Sequence, residues 1–241
     1  MRLRLIRHAT VVLSTGSKTL LVDPMLDPAG ARPPVPNTPC PRPNPLVDLP
    51  APAEAVLRGI DAVLVTHLHQ DHLDDTAIRL LGKDVPLFCA PGDTETLRGH
   101  GFTDLRPVVD AVDWDGVPIA RTDGVHGPLG PSPGFVVGSV YIAGDTIWCD
   151  EVRAALDAHR PRVIVVNAGG ARFLEGGPLV MTVDDVVAVA RHAPEADVVA
   201  VHLEAINHCL ETRTDLRRRL HDEGLGGRVT VPDDGAEIPM R

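Results

Sequence analysis

The sequence has no apolar stretch long enough to span a bilayer, no paired C-x-x-C and no long block of basic residues. Each absence closes a class. No membrane span is predicted without such a stretch. Four cysteines, Cys40, Cys89, Cys149 and Cys209, are too widely and irregularly spaced for a disulfide framework or a structural zinc site. The formal charge of −10 is spread along the chain. That argues against electrostatic capture of nucleic acid or of an anionic membrane, though a locally basic channel stays compatible with it. The opening residues, MRLRLIRHATVVL, are interrupted by Arg2, Arg4, Arg7 and His8, so they lack the apolar core of a signal peptide and read as strand. The expected compartment is therefore the cytoplasm.

At 241 residues, with 44% apolar and 23% charged residues, the chain can bury a real core. No repeat of fixed period is visible, and a single domain over 1–241 is the simpler reading. LRLI, TVVL and TLLVD read as short opening strands. From residue 28 to 52 prolines recur so often that neither helix nor central strand persists, because each ring fixes φ and removes a donor. A loop this long either covers a site or is a loose insertion. Beyond it, strands alternate with amphipathic helices: DAVLVT, DDTAIRLLG, PLFCA and DTETLRGHG, then RVIVVNAGG, TVDDVVAVARHA, DVVAVHL and ETRTDLRRRLHDEG. That is the signature of an α/β protein. Between these blocks, 106–144 carries several short strands, with Gly138 and Ser139 suited to a hairpin turn.

The segment VLVTHLHQDHLDD places His67, His69, Asp71 and His72 within six positions, directly after a predicted strand. Four such side chains do not all find partners in a dry core. A lone histidine is more often a satisfied core or surface residue. Imidazoles and carboxylates in H-x-H-x-D-H order are ligands for zinc, iron or manganese, and a cation makes the crowding favourable. The carboxyl end of a strand is also where α/β folds place chemistry.

THLHQDHLD resembles the signature of the metallo-β-lactamase superfamily, whose members are mostly metal-dependent hydrolases. That family takes further ligands from a His after a turn, an Asp in a G-D-T turn and a late His after a strand. Here these correspond to His126 in DGVHGP, Asp145 in IAGDT and His202 in VVAVHLEAINH. The resemblance implies a four-layer αββα sandwich with one metal held by His67, His69 and His126. It implies a second metal held by Asp71, His72 and His202, with Asp145 bridging. One or two divalent ions are expected, zinc foremost, with manganese or iron as the others this set accepts. The antibiotic-degrading lactamases commonly carry Cys where Asp145 stands, and Cys149, four residues on, is not expected to replace it. The opening IRHATVVLSTGSKTLLVDPML is similar to the branch containing lactonases that act on a phosphorylated ascorbate ring.

The mechanism implied is attack by water made acidic between the cations, with Asp71 as both ligand and orienting base, on an ester, lactone or phosphodiester. For the proton of the leaving group the candidates are His8, Asn207 and His208. Each also has a plain structural reading: a buried or surface His, or a loop packed on itself. Asp23 is expected either to hold a ligand imidazole through its other nitrogen or to cap a turn before Pro24. Asn167 is a candidate to point into the pocket from the VNAGG turn, which lacks the spacing of a dinucleotide site. Tyr141, the only tyrosine, is read as structural. The expected partner is a small-molecule substrate, with no nucleic acid and no membrane, the oligomeric state being left open. Rival uses of the same ligands are an iron-dependent oxidoreductase and a non-catalytic metal-binding relative. A nucleic-acid-processing relative is disfavoured by charge and length.

Overall fold

A computed structural model describes residues 2–16 and 18–238. The first half supplies six strands of a seven-stranded sheet, β1 (Arg2–Arg7), β2 (Thr10–Thr15), β3 (Lys18–Val22), β4 (Ala62–Leu64), β5 (Leu87–Cys89) and β6 (Leu105–Pro107). The second half builds its counterpart from β7 (Ala111–Trp114), β8 (Val117–Thr122), β9 (Gly134–Val137), β10 (Val140–Ile142), β11 (Val163–Asn167), β12 (Asp197–Val201) and β13 (Val229–Thr230). The late strand β14 (Glu237–Ile238) returns to the first sheet, which runs β14-β1-β2-β3-β4-β5-β6, while the second runs β13-β12-β11-β10-β9-β8-β7. Each sheet is antiparallel on the side of its hairpins and parallel where helices connect the strands. Gly138, at φ 59°, makes the β9–β10 hairpin turn, bringing Val137 opposite Val140.

Strand alternation sorts the side chains into layers. Leu20, Val22, Ala62 and Leu64 enter an inter-sheet core with Phe135, Val163, Val165 and Val199. Their neighbours Leu21 and Val63 face the other way, under α1 (Ala53–Val56), α2 (Asp75–Leu80) and α3 (Thr94–Gly99), with Ala77 and Leu97. On the far side Ile164, Val166, Val198 and Ala200 pack beneath α4 (Asp150–His159), α5 (Val183–His192) and α6 (Arg213–Asp222). The architecture is thus helix, sheet, sheet, helix, the expected four-layer αββα sandwich. Burial on both faces is why the parallel strands read as continuous aliphatic runs. Helix starts follow side-chain chemistry. Asp74 caps α2 by accepting from the Ala77 amide, Thr182 and Asp185 form a capping box on α5, and Thr212 caps α6. Among the described residues no helix is long and apolar enough to cross a membrane.

Residues 28–52 form a strap with little regular structure, its main internal pairing being the bridge between Arg32 and Asn44. Buried Arg7 donates to the carbonyls of Met25 and Asp27 at one end of the strap and of Val47 at the other, each at 2.9 Å. At the strap's middle Asn207 accepts from the Val35 amide and the Asn44 side chain and donates toward Thr38 Oγ1 and the Cys40 carbonyl.

Candidate metal centre

Strand ends bring the distant histidines together. His67 to His72 follow β4, Asp145 follows β10, Asn167 ends β11 and His202 follows β12, while His8 turns between β1 and β2 and His126 sits in the β8–β9 connection. The turn at Asp145 requires Gly144, at φ 67°, because a Cβ there would lie 2.7 Å from the Pro133 carbonyl. Gly169 does the same for His202, whose carbonyl would lie 2.2 Å from an added Cβ. His8, Asp23 and His202 all adopt positive φ (60°, 46° and 66°). Such backbone costs about 1–3 kcal/mol per residue and persists where surrounding contacts over-determine it. Here the His202 amide donates to the His8 carbonyl at 2.9 Å, and the two rings stack with centroids 3.5 Å apart.

Two groups of donor atoms result, His67, His69, His126 and Asp145 in one and His8, Asp71, His72 and His202 in the other, each with its atoms within 4.8 Å of one another. Asp145 faces both. Its Oδ2 lies 3.8 Å from His67 Nε2 and 3.5 Å from His126 Nε2, while Oδ1 lies 3.2 Å from His72 Nε2 and 3.4 Å from His202 Nε2. Asn167 donates to the same Oδ1 at 2.6 Å. Asp71 Oδ2 stands 3.2 Å from His8 Nε2 and 3.6 Å from His202 Nε2.

The far nitrogen of several rings is held by a group that fixes the tautomer. His126 Nδ1 lies 2.8 Å from the Leu179 carbonyl, which only accepts, so Nδ1 carries the proton and Nε2 presents its lone pair to the centre. His72 Nδ1 donates to Asp23 Oδ2 at 2.8 Å, and that carboxylate also accepts from the Thr66 amide and hydroxyl. His202 Nδ1 meets the Cys209 thiol at 3.5 Å. The Nε2 atoms of His72 and His202 are buried and have no hydrogen-bond partner. Unpartnered imidazole nitrogens around two carboxylates are what a divalent cation completes, so the residues fit such an ion.

Electrostatics agrees. Burial alone would raise Asp71 and Asp145, but His72 and its neighbours outweigh it and hold both well below the usual carboxylate range. Burial likewise lowers imidazoles, yet the Asp145 carboxylate prevails at His202, raised to about 10, and with Asp23 and Asp71 at His72. Without a cation, protons on these rings balance the carboxylates; uptake of metal therefore releases protons.

A cavity of about 520 Å³ opens over the cluster. His69, Asp71, His126, Asp145 and His208 form its polar floor, and strap residues Pro33, Pro34, Val35 and Pro36 line it together with Leu129, Phe173 and Ile206. Two of the candidate proton donors do not line the cavity. Asn207 does not present its amide to the cluster, since its oxygen and nitrogen are engaged by Val35, Thr38, Cys40 and Asn44; it fastens the strap instead. His8 is fully buried, does not line the cavity and is held by burial well below its usual pKa, with its Nε2 3.2 Å from Asp71 Oδ2. His208 does line the cavity, and its Nδ1 has no partner. Cys209 and the Leu179 carbonyl carry no sequence signal for their roles.

Asp23→Asn tests the tautomer argument. An amide oxygen turned to Thr66 sets its NH₂ against His72 Nδ1, driving the ring proton to Nε2 where the lone pair is needed. Metal affinity is expected to fall about 10–100-fold, measured by competition with a chromophoric chelator; an unchanged affinity would refute the tautomer argument.

Comparison with known proteins agrees with this geometry. Residues 18–203 match the family model of the beta-lactamase superfamily domain. UPF0173 protein YddR of Bacillus subtilis (strain 168) is 35% identical, covering 98% of both chains, and a UPF0173 metal-dependent hydrolase of Sulfolobus acidocaldarius is 23% identical over 98% of this chain and 99% of its own. The crystal structure of an isothiocyanate hydrolase from Delia radicum gut bacteria superposes with a TM-score of 0.95 at 35% identity, covering 100% of this chain and 99% of that one. The chain accordingly belongs to the beta-lactamase superfamily, in its UPF0173 family of metal-dependent hydrolases.

Proposed function

We propose that the chain hydrolyses a small uncharged electrophile, an ester, lactone or isothiocyanate, at a centre of one or two divalent ions. The carrying observation is the juxtaposition of unpartnered, buried His72 and His202 nitrogens with a cavity whose strap side is built mainly of Pro33, Pro34, Val35 and Pro36. His67, His69 and His126 would hold one ion, Asp71, His72 and His202 the other, and Asp145 offers one oxygen to each side. When bound, zinc, manganese or iron supplies Lewis acidity and a more acidic water.

The chain's own residues do the rest. Asp71, on the cavity floor with His8 behind it, accepts a hydrogen bond from the attacking water and aims its oxygen at the substrate. Burial lowers the His208 pKa, so the ring is neutral and offers an N–H to the leaving heteroatom. The strap excludes bulk water, which strengthens each of these contacts. Arg32 lines the cavity with its Nη2 buried without a hydrogen-bond partner and its Nε 2.9 Å from Asp27 Oδ2, which offsets its charge. This favours neutral substrates over phosphodiesters and phosphorylated lactones. The isothiocyanate hydrolase that shares this fold at 35% identity supports the inclusion of cumulated electrophiles.

The test is a metal assay with a substrate panel. Turnover of a phenethyl isothiocyanate, a γ-lactone and a thioester is measured before chelation, after it and on return of zinc, manganese or iron. The expected result is loss on chelation, recovery with one of these ions, and negligible rates on bis(p-nitrophenyl) phosphate. Undiminished turnover after complete metal removal, or preference for the phosphodiester, overturns the proposal.

A further inference from the structure

The cluster is reached from two sides. A second cavity, of about 330 Å³, is lined by Leu68, Pro131, Ser132 and Pro133 and shares His69, His126 and Leu129 with the first. Leu129 therefore stands where the two spaces meet. It ends a short 3₁₀ turn, Gly127–Leu129, and donates its amide to the His126 carbonyl at 3.0 Å. The turn is seated firmly, since Gly127, at φ 49°, lies so close to the chain that a Cβ would come within 2.2 Å of the Pro178 carbonyl. The Leu129 side chain is nevertheless 51% exposed. A large apolar group held on a rigid turn, between two openings and beside two candidate ligands, has the placement of a partition.

The two spaces differ chemically. The larger contains His208 and Asp71. The smaller has no charged side chain apart from what its histidines carry, and Ser132 beside it has a buried hydroxyl without a partner. We propose that the smaller cavity is a subsite for the part of the substrate that keeps the attacked carbon, with Leu129 limiting its size, while the larger takes the leaving group. This rests on the hydrolase reading above. For an ester, the water oxygen bonds to the acyl carbon, the carbon–oxygen bond to the alcohol breaks, and the alcohol oxygen takes the proton on the His208 side. For an isothiocyanate, one water adds across carbon and nitrogen, and cleavage of the carbon–nitrogen bond yields an amine and carbonyl sulfide. The small sulfur-bearing product then belongs to the smaller cavity and the amine with its tail to the larger. Ser132 offers its hydroxyl to the carbonyl or thiocarbonyl heteroatom.

Two ester series separate the sides in the metal-loaded protein and its Leu129→Ala variant: acyl chains from acetyl to octanoyl on one leaving group, and leaving alcohols from methyl to octyl on one acyl group. Leu129→Ala is expected to raise kcat/KM for the longest acyl chains by about tenfold or more, the scale of a few methylenes in an apolar pocket. Because Leu129 also lines the larger cavity, the leaving-group series is expected to change too, but by less than the acyl series. Inhibition or binding by carboxylates from acetate to octanoate, followed by calorimetry, gives a readout that needs no turnover, and the same relaxation of size is expected there. Because Leu129 is half exposed, unfolding temperature and metal content serve as controls and should not move. An unaltered acyl profile and unaltered carboxylate binding, or a change confined to the alcohol series, overturns the assignment. Absence of turnover in both series and on isothiocyanates by the loaded wild-type protein instead overturns the hydrolase reading, and carboxylate binding still decides the partition.

Discussion

Asp145→Asn is expected to remove metal and activity together while leaving the fold intact. The carboxylate gives one oxygen to each donor group, and an amide has only one oxygen to give. Asn167 donates to Oδ1 at 2.6 Å, so the new oxygen stays there and the new NH₂ is set against His67 and His126. Loss of one negative charge also removes the attraction that holds His202 and His72 in their charged or cation-bound forms. Losing about 4 kcal/mol of transition-state stabilisation corresponds to roughly a thousandfold in kcat/KM. Without metal the variant is expected to lose stability although it keeps the fold, because removing the carboxylate leaves the buried His72 and His202 rings without the charge that balances their protons. Metal content, circular dichroism and kcat/KM on one preparation make the check. Metal content at wild-type level with activity within about tenfold, only 1.4 kcal/mol, would sink the bridging role.

The second large effect falls on stability. Arg7 is buried, and burial lowers its pKa to about 10, so it remains charged at neutral pH. Arg7→Met takes the side-chain donor from three carbonyls, those of Met25, Asp27 and Val47. Buried unsatisfied groups cost about 1–3 kcal/mol each, reduced where water enters, so a total loss of roughly 3–5 kcal/mol is expected. For a chain of this size that lowers the unfolding temperature by about 10 °C or more. Arg7→Lys keeps the charge but lacks the planar fork, and recovers only part of the loss. Thermal unfolding at fixed metal saturation gives the answer, since bound metal itself shifts the midpoint. A change below about 1 kcal/mol in Arg7→Met, the scale of an ordinary surface substitution, would show that the strap does not depend on this anchor.

How far the molecule could be read in its sequence depended on the range of the interactions. The alternation of aliphatic runs and amphipathic helices located most strands and helices, because burial on two faces or one leaves a periodic trace. Two-residue β14 left none, since pairing at a sheet edge needs only backbone. His67, His69, Asp71 and His72 were legible from spacing alone, whereas His126, Asp145 and His202 stood out only through resemblance to a family. For Asn207 the sequence leaves a proton-donor role and a loop packed on itself both open, for a physical reason. Nearness to His202 along the chain says little about which way an amide points, and here it points to the strap 163 or more positions away. Arg7 appeared only as an interruption of an apolar run. Its three carbonyl partners lie far off in sequence and carry no pattern of their own.

The bond between the His202 amide and the His8 carbonyl joins the opening segment of the chain to one that follows β12. A ribosome-bound chain displays the early histidines long before His202 has been made. On such a chain the segment after β4 can collect at most loosely held ions through His67, His69 and His72. Tight capture by the full set waits until β12 has brought His202 into place, so ion acquisition follows the pairing of β11 with β12 rather than starting it.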